Sequence, residues 1–133
     1  MKLNSFSLIK YSLVIVYIWF GALKVLAVSP VQNLVKWTYP SFPEPMFIMV
    51  LGIWEIAIGL LLLYKKTLRL GVLLMWIQMG GIFFGVILSP TYYFQNMNLL
   101  LLSANGEFVV KNLTLLGASY YLWEKTPKNK GIL

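Results

Sequence analysis

Glu55 stands alone as an acid in the middle of a long apolar stretch. It lies within Gly52 to Gly59, in a run that extends from Met46 to Tyr64. At the rise of an α-helix, Glu55 is roughly 13 Å from either end of that run, which is near the midplane of a hydrocarbon layer about 30 Å thick. An ionised side chain at that depth costs on the order of 2.5–3.5 kcal/mol. A carboxylate at that depth is therefore expected to be paired with a cation or to have a function.

The other apolar runs also contain polar residues, spaced so that they share a helical face with small residues. The four helical faces are Tyr17, Gly21 and Lys24; Gly52, Glu55 and Gly59; Gln78, Gly81 and Gly85; and Glu107, Lys111, Thr114 and Ala118. Small residues at this spacing let membrane helices approach closely, so we expect all four faces to turn inward. The glycines predicted to pack helices are Gly21, Gly52, Gly59, Gly81 and Gly85. The predicted polar cluster, which binds a ligand or stabilises the helices, is Lys24, Glu55, Gln78, Glu107 and Lys111.

The charges in this predicted cluster cancel, as a low-dielectric interior requires. Lys24 is the first candidate partner of Glu55, because consecutive helices are neighbours in space, and Lys111 is the second. Glu107 and Lys111 have the spacing of an ion pair on one helix. Two alternatives stay open. Lys24 and Glu107 are shallow enough to extend to the headgroups instead, and Glu55 can serve helix packing alone.

The composition is that of one integral membrane domain. Of 133 residues, 59% are hydrophobic and only 11% are charged, far from the balance of a soluble domain. We predict an all-α, four-helix bundle over residues 1–133, with spans at about 8–28, 46–64, 68–88 and 106–123. No small-x-small cleavage site follows the first run, which we expect to be retained.

Cysteine and histidine are both absent from the sequence. The chain therefore supplies no disulfide, no thiol redox chemistry and no histidine or cysteine ligand for zinc, haem or an iron-sulfur cluster. We predict no metal site and no catalytic residue. Any redox chemistry would come from a bound cofactor or from a partner.

The net charge of +7 is explained by topology rather than by nucleic acid. Cations outside the predicted spans or near their ends fall on one side of the membrane, with Lys36 alone on the other side. The set on the first side is Lys2, Lys10, Lys65, Lys66, Arg69, Lys125, Lys128 and Lys130. Because cytoplasmic loops are enriched in Lys and Arg, both termini are predicted to be cytoplasmic.

Both loops on the opposite side are rich in aromatic residues. Residues 31–45 contain Trp37, Tyr39 and Phe42, a composition suited to the headgroup region. Residues 91–105 include the apolar run from Leu99 to Leu102. That run is too short to cross a bilayer, so it is expected to dip into the interface or to cover the mouth of the bundle, as a structural lid or as a substrate gate.

Nearly the whole chain, in helix order, resembles the DoxX-like small four-helix membrane proteins, and within them the YkgB-type branch. The segments that carry the resemblance are Trp19 to Lys24, Gly52 to Gly59 and Gly106 to Asn112. The chain departs from the branch in two ways. The interval between Lys24 and Ser29-Pro30 is short, and Glu107 and Asn112 stand where the branch tends to have an arginine and an aspartate. The resemblance implies a multi-pass protein of the bacterial cytoplasmic membrane, of the kind that accompanies membrane oxidoreductases, with some members linked to quinones.

Three functions remain open from the sequence. The first is an accessory subunit of a membrane redox system, without catalysis of its own, whose polar cluster binds a quinone headgroup or a similar ligand. The second is a structural or assembly subunit of a larger complex, with charges that only set helix register. The third is a small-solute or proton transporter, disfavoured because four short helices leave little room for an aqueous path. The expected partners are the lipid bilayer and other membrane subunits, without nucleic acid.

Overall fold

The computed structural model describes residues 4–26 and 46–127, and within them the secondary structure is helical. The helices are α1 (Ser5–Val25), α2 (Met46–Leu63), α3 (Leu68–Leu88), α4 (Ala104–Val110) and α5 (Asn112–Lys125), with 3-10 turns at Pro90–Tyr92 and Gln95–Met97. The predicted all-α class is confirmed. Helices α1, α2 and α3 are each long and apolar enough to cross a membrane.

Local hydrogen bonds explain two of the helix boundaries. α1 begins three residues before its predicted start, because the Asn4 side chain accepts a hydrogen bond from the backbone N–H of Ser7 at 2.8 Å. The turn between α2 and α3 is closed by the Thr67 hydroxyl, which donates to the carbonyl of Leu61 at 2.7 Å. The two helices therefore reverse direction over a few residues, as the short polar turn predicts.

The predicted span at 106–123 is not one regular helix. Its residues belong to α4 and α5, of 7 and 14 residues, which meet at Lys111. There the N–H of Thr114 bonds to the carbonyl of Lys111 at 3.0 Å, a tighter i to i+3 bond that changes the helical register. Neither segment alone has the length that crosses a bilayer.

The apolar core lies towards the end of the molecule that carries the α2–α3 turn. α1 packs most extensively on α2, α2 also contacts α3, and α5 contacts both α3 and α1. Side chains from these four helices form one buried cluster: Leu13, Val14, Tyr17, Ile58, Leu62, Leu68, Val72, Met75, Met79 and Leu122. The polar residues considered next lie beyond this core, towards the C-terminal end of α1.

Aromatic and polar contacts attach α5 to α3. The Trp76 indole N–H donates to the Ser119 hydroxyl at 2.9 Å, and the guanidinium carbon of Arg69 lies 4.2 Å from the centre of the Trp123 ring. The rings of Trp76 and Trp123 are 5.1 Å apart. These contacts place α5 against the core although its sequence is the least apolar of the long helices.

Several predicted features lie outside the described residues. The aromatic loop at 31–45 is one of them, together with the cations Lys2, Lys36, Lys128 and Lys130. The charge asymmetry that predicts cytoplasmic termini therefore stays a prediction.

Candidate functional site

Lys24 and Glu55 form a buried ion pair between α1 and α2. The Lys24 ammonium nitrogen lies 2.8 Å from Glu55 Oε2, and each residue is only 6% exposed. This is the first of the two pairings predicted from the sequence. The alternative in which Lys24 extends to the headgroups does not occur in the structure.

Helix geometry explains why these two side chains meet. α1 and α2 run antiparallel, since Gly21 lies against Gly52 while Ile18 lies against Gly59. Side chains on a helix lean towards its N-terminus. Lys24, in the last turn of α1, therefore leans back into the bundle, and Glu55 leans in the opposite sense to meet it. A lysine in that last turn would extend to the headgroups only against this lean.

Glycine brings the two backbones into contact beside the ion pair. A Cβ atom on Gly21 would lie 2.6 Å from the carbonyl oxygen of Gly52, and one on Gly52 would lie 2.7 Å from the carbonyl oxygen of Gly21. Both distances are shorter than nonbonded contacts allow, and both involve backbone that cannot rotate away. Close packing at Gly21, Gly52 and Gly59 matches the predicted role of these glycines.

Gln78 on α3 binds the second oxygen of the same carboxylate. Its amide nitrogen donates to Glu55 Oε1 at 2.7 Å. Three consecutive helices thus converge on one carboxylate, with a cation on one oxygen and an amide donor on the other. Charged acceptors make the stronger hydrogen bonds, so this arrangement both neutralises and orients Glu55.

Two buried polar atoms, on the residue before Glu55 and on Gln78, have no hydrogen-bond partner. They are the indole nitrogen of Trp54, which is an N–H donor, and the amide oxygen of Gln78, which is an acceptor. Such orphans are uncommon, because a buried unpaired group costs about 1–3 kcal/mol. An unpartnered donor therefore lies on the residue before Glu55, and an unpartnered acceptor lies on the residue whose amide nitrogen binds Glu55 Oε1.

Trp54 was not among the residues singled out from the sequence. A signal for it existed, since tryptophan in spanning helices is enriched at the membrane surfaces, whereas Trp54 precedes Glu55, which the sequence predicts to lie near the midplane. Its half-buried ring packs against the core cluster.

Glu107 and Lys111 are not part of the buried site. Both side chains are exposed, and within the described residues they form no ion pair with each other or with Glu55. The prediction that the fourth polar face turns inward is wrong for these two residues. The two residues still share one helical face, since the Lys111 N–H bonds to the Glu107 carbonyl at 3.1 Å, but that face points away from the bundle, in a segment where Gly106 lies close to the carbonyl of Tyr93.

The two predicted packing glycines of α3 differ from each other. Gly85 is buried, whereas Gly81 is exposed and a Cβ atom there would meet nothing within 4 Å. The buried face of α3 follows Val72, Met75 and Met79, and Gly81 lies two residues beyond Met79, on nearly the opposite side of the helix. Its predicted packing role is therefore wrong within the described residues.

Comparison with known proteins identifies no relative of this chain. No protein-family model, curated protein or solved structure matches the chain.

Proposed function

We propose that this chain is a small multi-pass accessory subunit of a membrane redox system, and that the site around Glu55 binds the polar headgroup of a quinone-like ligand. The observation that carries the proposal is the pair of unpartnered buried atoms, Trp54 Nε1 on the residue that precedes Glu55 and Gln78 Oε1 on the residue that is hydrogen-bonded to it. A ligand that supplied an acceptor and a donor there would satisfy both.

The chemistry of the two orphan atoms suits both redox states of a quinone. The Trp54 N–H would donate to a quinone carbonyl, and the amide oxygen of Gln78 would accept the hydroxyl hydrogen of the reduced form. Glu55 would serve as a proton-exchanging group one hydrogen bond away. The chain contributes binding and proton exchange rather than catalysis, because it has no cysteine or histidine to hold a redox centre.

The membrane architecture proposed for this function has four spans. α4 and α5 with Lys111 between them extend roughly 33 Å along their path, enough to cross a hydrocarbon layer of about 30 Å. The contacts of α5 with both α3 and α1 support a closed arrangement of four helices. A DoxX-like protein of the bacterial cytoplasmic membrane with both termini inside is the corresponding family and location.

The test is purification from native membranes in a gentle detergent, followed by mass spectrometry of bound lipids and proteins. We expect an isoprenoid quinone and at least one redox protein to copurify. Trp54→Phe keeps an aromatic ring but removes the donor, and it should release the quinone. Trp19→Phe is the matched control, since Trp19 is 63% exposed and lies on α1 away from the core. A preparation with neither quinone nor redox partner contradicts the proposal.

One observation favours a second function, that of a structural or assembly subunit. Both oxygens of Glu55 and the ammonium of Lys24 are already hydrogen-bonded within the chain, and their charges cancel. Such a pair can stabilise helix register without a ligand. If partner proteins copurify without quinone and Trp54→Phe changes nothing, this second function replaces the first.

A further inference from the structure

The connection between α3 and α4 exposes consecutive leucines at its tip. Leu99 is 74% exposed, Leu100 is 91% exposed and Leu101 is also exposed. We call residues 99–101 the leucine tip. The described helices leave these side chains largely uncovered, so the leucine tip does not close the bundle as a lid would. Three adjacent exposed leucines need an apolar environment outside this chain.

The loop that carries the tip is a defined structure held by its own hydrogen bonds. The backbone N–H of Gln95 donates to the carbonyl of Leu101 at 2.7 Å, and the side-chain amide of Gln95 donates to the carbonyl of Leu102 at 2.9 Å. The N–H of Leu100 donates to the side-chain oxygen of Asn98 at 3.0 Å. Each backbone group that is bonded inside the loop lowers the cost of placing this non-helical chain at the boundary of the lipid, where unpaired polar groups are unfavourable.

Two residues of the loop have left-handed backbone conformations, which residues other than glycine rarely adopt. Asn96 and Met97 have φ angles of 52° and 58°. The left-handed region is tolerated by asparagine but is unfavourable for methionine. The fold thus maintains a strained turn directly before the leucine tip.

The base of the loop is attached to the side of α3 rather than extended beyond its end. Tyr93 is buried, and with Phe94 it packs in a cluster that includes Ile82, Phe83 and Val86, which lie within the last two turns of α3. The loop therefore begins beside hydrocarbon-facing helix. In addition, no charged residue occurs between Arg69 and Glu107, so no ionised side chain in this segment opposes contact with lipid.

We propose that the leucine tip inserts into the lipid leaflet that surrounds the C-terminal end of α3, so that this loop is a second, non-spanning membrane contact. The occupant of the exposed apolar surface is lipid hydrocarbon at the headgroup boundary, and neither a substrate nor a soluble protein. This inference is independent of whether the site at Glu55 binds a quinone. It also selects the interfacial dip over the lid among the sequence-based expectations for this run.

Because the sequence contains no cysteine, a single introduced cysteine can be labelled with a fluorescent dye without labelling at other positions. Leu100→Cys would be labelled with an environment-sensitive NBD dye and reconstituted in vesicles of phosphatidylethanolamine and phosphatidylglycerol. The reference variants are Ile77→Cys, on the exposed face in the middle of α3, and Lys66→Cys, in the polar turn before α3. Each label would be challenged separately with iodide in water and with nitroxide-labelled lipids.

The expected result is that the dye at position 100 emits at a shorter wavelength than the dye at position 66. We also expect it to lose intensity with shallow nitroxide lipids and to resist iodide, whereas the dye at position 77 responds most to deep nitroxides. Quenching by iodide equal to that at position 66 would overturn the proposal. Resistance to both quenchers would overturn it too, because it would mean that protein covers the tip.

Discussion

Gly21 on α1 and Gly52 on α2 bring their backbones so close that each would place a Cβ atom against the carbonyl oxygen of the other, at 2.6 Å and 2.7 Å. This contact lies one helical turn from both Lys24 and Glu55, and a Cβ on Gly52 would also lie 2.9 Å from the Lys24 Cβ. The glycine contact therefore sets the helix separation at which the ion pair can close.

Replacing these glycines by alanine should destabilise the protein in a graded order. Gly21→Ala and Gly52→Ala force backbone apart, so we expect each to lower the free energy of unfolding by about 1–3 kcal/mol. Gly59→Ala should cost less, because its nearest atom, 2.5 Å away, is the Ile18 side chain, which can move. The measurement is unfolding in mixed detergent micelles, followed by circular dichroism.

Gly81→Ala is the matched control for that series, because its Cβ would enter open space. Stability should be unchanged or should rise by less than about 1 kcal/mol, since alanine favours helix over glycine. Equal losses at positions 52 and 81 would mean that the loss reflects helix propensity or lipid contact rather than the approach of α1 to α2.

Breaking the ion pair from one side should be costly. Lys24→Met leaves the Glu55 carboxylate buried with only Gln78, and we expect a loss of about 3–5 kcal/mol in unfolding free energy. Adding Glu55→Gln should recover much of that loss, because an uncharged amide no longer needs a cation. The double-mutant cycle measures this coupling, and strictly additive losses would show that the two charges do not stabilise each other.

The contact between Trp76 and Ser119 should couple α3 to α5. Ser119→Ala leaves the Trp76 N–H without its acceptor at 2.9 Å, and we expect a loss of about 1–3 kcal/mol. Trp76→Phe in the Ser119→Ala background should add little beyond lost ring contacts. Hydrogen exchange at α5 amides is the second readout, and it should accelerate in Ser119→Ala but stay unchanged in the exposed-site variant Leu113→Ala.

The loop between α3 and α4 should depend on Gly106. A Cβ atom at this position would collide with the carbonyl of Tyr93, which also accepts the Ser103 N–H at 3.0 Å. Gly106→Ala should therefore detach the loop base while leaving the ion pair at Glu55 intact. We expect faster proteolysis within residues 93–105, with Gly117→Ala as a control in open space. Unchanged cleavage would mean that the loop can shift without loss of its structure.

Much of the fold follows from local pattern. The uninterrupted apolar runs predict α2 and α3 to within a residue, because a span of that length must satisfy its backbone internally. The partner of Glu55 was also predictable, since a two-helix hairpin makes Lys24 the nearest cation by depth. Gln78 was predicted as a member of the cluster, although its bond to Glu55 Oε1 was not assigned.

The residues on α4 and α5 were harder to place for a physical reason. Helical spacing assigns Glu107, Lys111 and Thr114 to one face, and all three are exposed in the structure. The spacing does not specify whether that face points towards the other helices or away from them. The exposure of Glu107 and Lys111 depends on the contact between Gly106 and Tyr93, which no local sequence pattern reveals.

By itself, the sequence determined the apolar helices, the depth of Glu55 and the need for a compensating cation, because these depend on hydrophobicity and on the cost of a buried charge. The tertiary structure decided the remaining polar contacts and the geometry of the ion pair. Lys24 and Glu55 lean towards each other because α1 and α2 are antiparallel, Gln78 completes the carboxylate's bonding, and Trp54 and Gln78 keep one unpaired atom each. Those outcomes are set by the approach and rotation of packed helices, which the spacing of residues along one helix does not specify.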